Sequence, residues 1–134
     1  MHSILHGIPF LLKDNIVTVD ETETTRGSSV PRGSKIGFEA SIVKILRSAG
    51  AVILGKANLS KFGGFRHSNA STSWSAQGGQ ATGIFWLGRK PSGSSTGSAI
   101  GVGLGLVSAS FGTEVYDPIL KPLSCLCGFS LPSS

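Results

Sequence analysis

The sequence predicts an α/β fold, and three features of its first half indicate it. Residues 8–12 form a short apolar run that leads into polar residues, as a buried strand that ends in a loop does. Residues 42–49 have the apolar spacing of a helix, and residues 51–54 form a second apolar run of strand length. A helix that leads directly into such a run is typical of an α/β unit, so we expect residues 51–54 to be covered on both faces.

The helix is the clearest of these elements. Its apolar residues Ile42, Ile45, Leu46 and Ala49 fall at positions i, i+3, i+4 and i+7, which is the pattern of an amphipathic helix. Gly50 stands where a glycine commonly ends a helix.

The rest of the chain is less regular. Residues 20–34 are rich in Thr, Ser, Gly and charge, and we expect a loop there and another at residues 55–60. Residues 67–96 are mostly Ser, Gly, Gln, Thr and Pro, which indicates a long irregular connection of the kind that is often functional. The pattern of residues 98–110 predicts a glycine-diluted helix, and the tail from Tyr116 onward has no clear period.

The composition is that of one small globular domain, with 134 residues of which 40% are hydrophobic. Cys125 and Cys127 are too close together to staple a fold and have no second ligand pair nearby, so we expect neither a disulfide framework nor a metal or other cofactor. No apolar segment reaches the roughly 20 residues of a membrane span. The N-terminus has no basic leader and no long apolar core, so we expect no signal peptide and take the cytoplasm as the default location.

The net charge is +5, and residues 44–90 contain cations but no acid. A basic stretch can bind nucleic acid if its cations lie on one face or stripe. Here the cations are dispersed and the aromatic residues do not alternate with them, so we favour a solvated basic surface and expect no nucleic-acid partner.

The most suggestive local feature is a Ser/Gly loop, residues 92–98, before the predicted second helix. Such a loop suits an anion or an oxyanion, because it offers backbone N–H groups and hydroxyls. A phosphate-binding P-loop would end in Gly-Lys-Ser/Thr, and no lysine follows; a dinucleotide fingerprint would need a different glycine spacing. Taken alone, the loop is interpreted by default as a flexible linker.

Five segments, however, occur in the order in which the amidase signature family has them. They are residues 7–15 (GIPFLLKDN), 55–60 (GKANLS), 74–80 (WSAQGGQ), 91–98 (PSGSSTGS) and 106–114 (ending in Gly-Thr-Glu). The chain therefore resembles this family, above all its fungal and plant amidases, with the glutamyl-tRNA amidotransferases and fatty acid amide hydrolase as more distant relatives.

The resemblance implies a fragment of an α/β/α layered fold with a mixed sheet. It divides the chain into a partial amidase-signature domain at residues 5–114 and a diverged or off-family tail at residues 115–134. We expect a truncated chain, because the long C-terminal part and the N-terminal segment of the family are missing from the match.

The resemblance also implies a Ser–cis-Ser–Lys mechanism that cleaves carboxamide C–N bonds in a small-molecule amide. The lysine falls at Lys13, which must be neutral to act as a base, so burial would have to lower its pKa. The bridging serine falls at Ser94, whose peptide bond is cis in the family. Ser95 and Thr96 are expected to form hydrogen bonds within the loop.

The third catalytic position is where this sequence departs from the family. The nucleophilic serine is replaced by Pro118, and the family's oxyanion-binding backbone would fall at Val115, Tyr116 and Asp117, with Thr113 beside it. Proline has neither a hydroxyl nor a backbone N–H. We therefore predict an amidase-family hydrolase that is inactive in this form, with a non-catalytic pseudo-amidase or binding fragment as the alternative.

Overall fold

The computed structural model describes residues 3–64, 71–85, 88 and 90–113. Its elements along the chain are β1 (Pro9–Lys13), α1 (Ser41–Ser48), β2 (Val52–Ala57), a 3₁₀ turn (Lys61–Gly64), β3 (Trp74–Ser75), β4 (Gly79–Gln80), α2 (Thr96–Gly103) and β5 (Ala109–Phe111). Three strands form a parallel sheet in the order β2-β1-β5, and β3 and β4 form a separate antiparallel hairpin. The predicted α/β class is confirmed; the strand of opposite direction that a mixed sheet requires is not among the three described strands of this sheet.

Strand β1 lies in the centre of the sheet. Its successive side chains point to opposite faces of the sheet, so each face has its own layer of packing. Phe10 and Leu12 pack with Val43 and Leu46 of α1 in the main apolar core. Leu11 faces the opposite side, where α2 approaches it closely. One helix therefore covers each face of the central strand, as in an α/β/α arrangement.

Helix α1 confirms the predicted helix but buries a different face. Val43 and Leu46 are buried, whereas Ile45 is 60% exposed. Ile42, Leu46 and Ala49 define one line along the helix, and residues 43 and 45 flank that line on opposite sides. The spacing alone cannot say which flank meets the sheet. As predicted, the helix is followed by a glycine in the left-handed conformation, Gly50 with φ +78°.

Strand β2 is longer and less covered than the sequence predicts. It continues to Ala57, because residues 55–57 pair with β1 as far as Lys13. The loop expected at residues 55–60 therefore begins three residues later. The expectation that both faces are covered is wrong for the described residues: Val52 and Leu54, which share one face of β2, are both exposed.

The second half differs most from the prediction. The connection at residues 67–96 contains the short β3–β4 hairpin, and α2 covers only Thr96–Gly103 instead of residues 98–110. The chain leaves the helix at Gly105, which has φ +68°, and residues 109–111 pair with β1 as a strand. Gly105 therefore ends the helix early, and part of the predicted helical segment is a strand instead. No helix in the described part of the chain is long and apolar enough to cross a membrane.

The start of α2 is pressed against the end of β2. The Gly97 N–H donates to the Asn58 carbonyl at 3.0 Å, and a Cβ at Gly97 would lie 2.4 Å from the backbone N and O of Asn58.

We predict that Gly97→Ala lowers the free energy of unfolding by about 3 kcal/mol, the upper end of overpacking costs. Chemical denaturation followed by circular dichroism measures this. Gly37→Ala, at an exposed glycine with open space around it, is the control and should change stability by much less; equal effects would contradict the prediction.

Candidate active site

The candidate site lies at the carboxyl edge of the parallel sheet. Lys13 is the last residue of β1, the Ser94–Ser95 pair directly precedes α2, and Thr113 follows β5. After β1 the chain forms β2 on one side of it, and later forms β5 on the other side. In open α/β sheets this edge, at such a change of direction, is where ligands commonly bind.

Three segments distant in sequence meet at the Lys13 amine, which is buried with only 2% exposure. Lys13 Nζ donates to Ser94 Oγ at 2.8 Å, to Ser95 Oγ at 2.7 Å and to the Thr113 carbonyl at 3.0 Å. The structure thus brings together three of the residues that the sequence singles out. It adds Ser95, whose hydroxyl contacts Lys13 and the Thr113 carbonyl outside the loop; the expectation that Ser95 bonds within the loop is wrong.

The chemistry of these partners decides where protons can go. The Thr113 carbonyl can only accept a hydrogen bond, so it needs an N–H from Lys13. The Ser95 hydroxyl donates its proton to that carbonyl at 3.2 Å, so it too needs an N–H from Lys13. A neutral amine has two N–H groups and one lone pair. Among these three partners, only the Ser94 hydroxyl can then donate its proton to the lone pair. With a neutral Lys13, Ser94 and not Ser95 is therefore the one of these two hydroxyls whose proton is available to the amine.

Ser60 holds the loop that carries Ser94. Its N–H donates to the Ser94 carbonyl at 3.3 Å, and its hydroxyl donates to the Gly93 carbonyl at 3.1 Å. Ser60 thus donates to both carbonyls of the Gly93–Ser94 segment. The sequence gives no local signal for this role, because the contact joins positions more than 30 residues apart.

Two further buried hydroxyls complete the support. Ser73 Oγ donates to the Pro91 carbonyl at 2.7 Å and lies 2.6 Å from Thr96 Oγ1. Thr96 in turn contacts the Gly93 carbonyl at 3.0 Å, within the loop as expected. The Ser/Gly loop is therefore a hydrogen-bonded structure and not a flexible linker.

The peptide bonds of the described residues are all trans, so the cis bond that the resemblance implies at Ser94 is absent here. Trans is the lower-energy form for a bond that does not precede proline, by about 3–4 kcal/mol. The contacts of Ser60 with the Gly93 and Ser94 carbonyls are formed with this trans bond.

Known proteins are similar to this chain in both sequence and fold. A model of the amidase family matches residues 1–129. The chain belongs to the amidase family. It is 50% identical to a probable amidase of Arabidopsis thaliana, over 90% of this chain and 24% of that protein. It is 38% identical to a glutamyl-tRNA(Gln) amidotransferase chain of Symbiobacterium thermophilum, over 88% of this chain and 23% of that protein.

The fold agrees with solved amidase structures. The crystal structure of the peptide amidase of Stenotrophomonas maltophilia superposes with a TM-score of 0.81 at 42% identity, covering 91% of this chain and 25% of that one. The resemblance to the amidase signature family is thereby confirmed. The chain spans about a quarter of the length of these relatives.

Several residues singled out from the sequence lie outside the described residues. They are Val115, Tyr116, Asp117 and Pro118 of the nucleophile segment, and Cys125 and Cys127 of the tail. The proposed boundary between residues 114 and 115 also falls there. Of the residues assigned to oxyanion binding, Thr113 is described: its hydroxyl accepts from Asn15 Nδ2 at 2.8 Å, and its carbonyl accepts from Lys13.

A second, half-buried lysine lies on the neighbouring strand. Lys56 donates to the Ile16 carbonyl and to Thr24 Oγ1, which ties the loop after β1 to β2. Burial lowers the pKa of Lys56, and the opposing effect of the Asp14 charge does not cancel this. Lys56 therefore supports the loop beside the site and has no described contact with Ser94.

Asp14, next to Lys13 in the chain, organises the adjacent loop. Its carboxylate accepts from the Thr25 N–H at 2.9 Å, from the Thr25 hydroxyl and from the Gly27 N–H at 2.9 Å. The residue is 5% exposed, so each of these donors would be difficult to satisfy with water.

We predict that Asp14→Asn lowers the free energy of unfolding by about 2–3 kcal/mol, because the amide offers one acceptor oxygen to three donors and removes the charge. Denaturant titration measures the change. Glu21→Gln makes the same chemical change at an exposed site and should be nearly neutral. A small effect of Asp14→Asn, comparable to that control, would show that the carboxylate does not hold the loop.

Proposed function

We propose that this chain carries the proton-transfer half of a carboxamide hydrolase, with Lys13 as the general base and Ser94 as the proton bridge. The observation that supports it most directly is the 2.8 Å contact between Lys13 Nζ and Ser94 Oγ in a buried site. The position of the pair at the carboxyl edge of the sheet and membership of the amidase family support the same assignment.

In such a mechanism the two groups act in sequence. A neutral Lys13 accepts the Ser94 proton, while Ser94 accepts the proton of a nucleophilic hydroxyl that attacks the amide carbonyl. When the tetrahedral intermediate collapses, the proton returns along the same path to the departing amine. Ser95 and Thr113 are positioning residues here, because each takes one N–H of Lys13 and leaves the lone pair directed to Ser94.

We further propose that the chain in this form does not turn over simple amides, because the resemblance aligns Pro118 with the nucleophile. Proline supplies no attacking oxygen and no N–H for a developing oxyanion. Asp117 would add a negative charge where negative charge must be stabilised. Loss of a nucleophile alone can lower turnover by about 10⁶.

The test is ammonia release from benzamide and from a peptide C-terminal amide. We expect no release above a protein-free blank in a sample whose dispersed NMR spectrum shows a folded chain. The Ser94→Ala variant is measured beside it. Ammonia release by the unchanged chain that disappears in Ser94→Ala would contradict the proposed inactivity, and release that persists in the variant would contradict the role of Ser94.

The retained hydrogen-bonding site favours one second candidate, a non-catalytic pseudo-amidase that binds a small amide. Lys13 and Ser94 keep their contact in a chain whose nucleophile position is proline. In the same NMR samples, saturable shifts on titration with benzamide that are lost in Ser94→Ala would support this function. A folded chain with no saturable shifts would exclude it for this ligand.

A further inference from the structure

We propose that Ser94 is itself a latent nucleophile in this chain: with Lys13 it forms a serine–lysine pair that accepts an acyl group from a small activated ester. This goes beyond the proposed function, in which Ser94 only relays a proton. Serine activated directly by lysine is an established variant of nucleophilic catalysis in unrelated hydrolases. The chain has the two groups at hydrogen-bond distance, 2.8 Å.

The arrangement of protons favours Ser94 over its neighbour. Ser95 donates its proton to the Thr113 carbonyl and accepts from Lys13, so attack by Ser95 would first break both contacts. The Ser94 hydroxyl has Lys13 as its only described hydrogen-bond partner. Its oxygen is therefore the one that the amine can activate without rearrangement.

The rigidity of the loop supports the same inference. Ser60 holds the carbonyls of Gly93 and Ser94, and Lys13 is fixed by its place at the end of the central strand. A nucleophile and base that are already aligned lose little conformational entropy when the reaction begins. The pair is thus preorganised within the described part of the chain.

Exposure and charge stabilisation limit the electrophile. Ser94 is 8% exposed, against 2% for Lys13 and Ser95, so it is the most exposed of these three residues. Because it is still buried, it accepts only a small acyl group. Proline at position 118 removes an N–H from the segment that the resemblance assigns to oxyanion binding. The negative charge that develops on the carbonyl oxygen is therefore poorly stabilised, and the reaction needs a good leaving group. This selects activated esters and excludes amides.

With p-nitrophenyl acetate as the ester, the reaction is an acyl transfer. Ser94 Oγ forms a bond to the acetyl carbon, and its proton passes to the neutral Lys13 amine. The ester C–O bond breaks, and p-nitrophenolate leaves with the electron pair. Lys13 then returns its proton to solvent, and the product is an acetyl ester on Ser94.

The test uses the whole chain with p-nitrophenyl acetate. We expect a burst of about one equivalent of p-nitrophenolate per chain, since an acyl group that leaves slowly accumulates. Peptide mass mapping should place one acetyl group on Ser94 that hydroxylamine removes, as it does an ester but not an acetylated lysine.

Variants make the assignment specific. Ser94→Ala should abolish the burst, and Ser94→Cys should restore a hydroxylamine-sensitive acyl group at the same position. Ser48→Ala, at an exposed serine of α1, is the matched control and should keep the burst. NMR spectra confirm that each variant is folded.

Acetylation of Ser95 or Lys13, a burst that survives in Ser94→Ala, or no burst from a folded chain would each overturn the proposal. These outcomes are separate from those of the amide assay, because absence of a burst says nothing about ammonia release or amide binding.

Discussion

The Lys13 side chain ends the central strand and places its amine, almost without solvent contact, against oxygens from two distant segments of the chain. A buried amine is costly unless its hydrogen bonds are satisfied. Ser94, Ser95 and Thr113 satisfy them, and they can do so only if the Ser/Gly loop and the end of β5 both reach the edge of the sheet. The geometry of the site is thus a consequence of burying one lysine.

The second requirement is that a loop of small polar residues remains rigid. Residues 91–96 contribute little apolar surface, yet most of them are buried. Their order comes from hydrogen bonds instead, with Ser60 and Ser73 on one side and Thr96 on the other. Buried networks of this kind specify one arrangement when every member is satisfied. The close contact of Gly97 with Asn58 supports the same loop, because it brings the start of α2 against β2.

How much of this could be predicted depends on how local each signal is. Strand β1 and helix α1 follow from apolar spacing within a few residues, and both are where the sequence predicts them. The face of α1 is not local information, because Val43 and Ile45 fit the same period and only the sheet distinguishes them. The start of β5 escapes prediction for the same reason: residues 109–111 form a strand only because β1 offers a partner.

The site shows the same division. Residue types and order indicate Lys13 and Ser94 through the resemblance, but nothing in the sequence indicates that Ser60 would hold the loop or that Ser95 would turn to Thr113. These are hydrogen bonds between hydroxyls and carbonyls, which any serine can make. Only the fold selects among the many serines of this chain.

The arrangement also bears on the proposal that this chain keeps the base and the proton bridge but lacks the nucleophile. The described contacts that hold Ser94 and its loop come from residues that precede position 114, so a change at Pro118 removes none of them. Attack and oxyanion stabilisation, by contrast, are assigned by the resemblance to the segment that contains Pro118. In the proposed mechanism, proton transfer and charge stabilisation are therefore carried by separable parts of the chain. A site that keeps only the first can react with a good leaving group, since the barrier there depends mainly on activating the attacking oxygen; an amide also needs its oxyanion stabilised and its amine protonated.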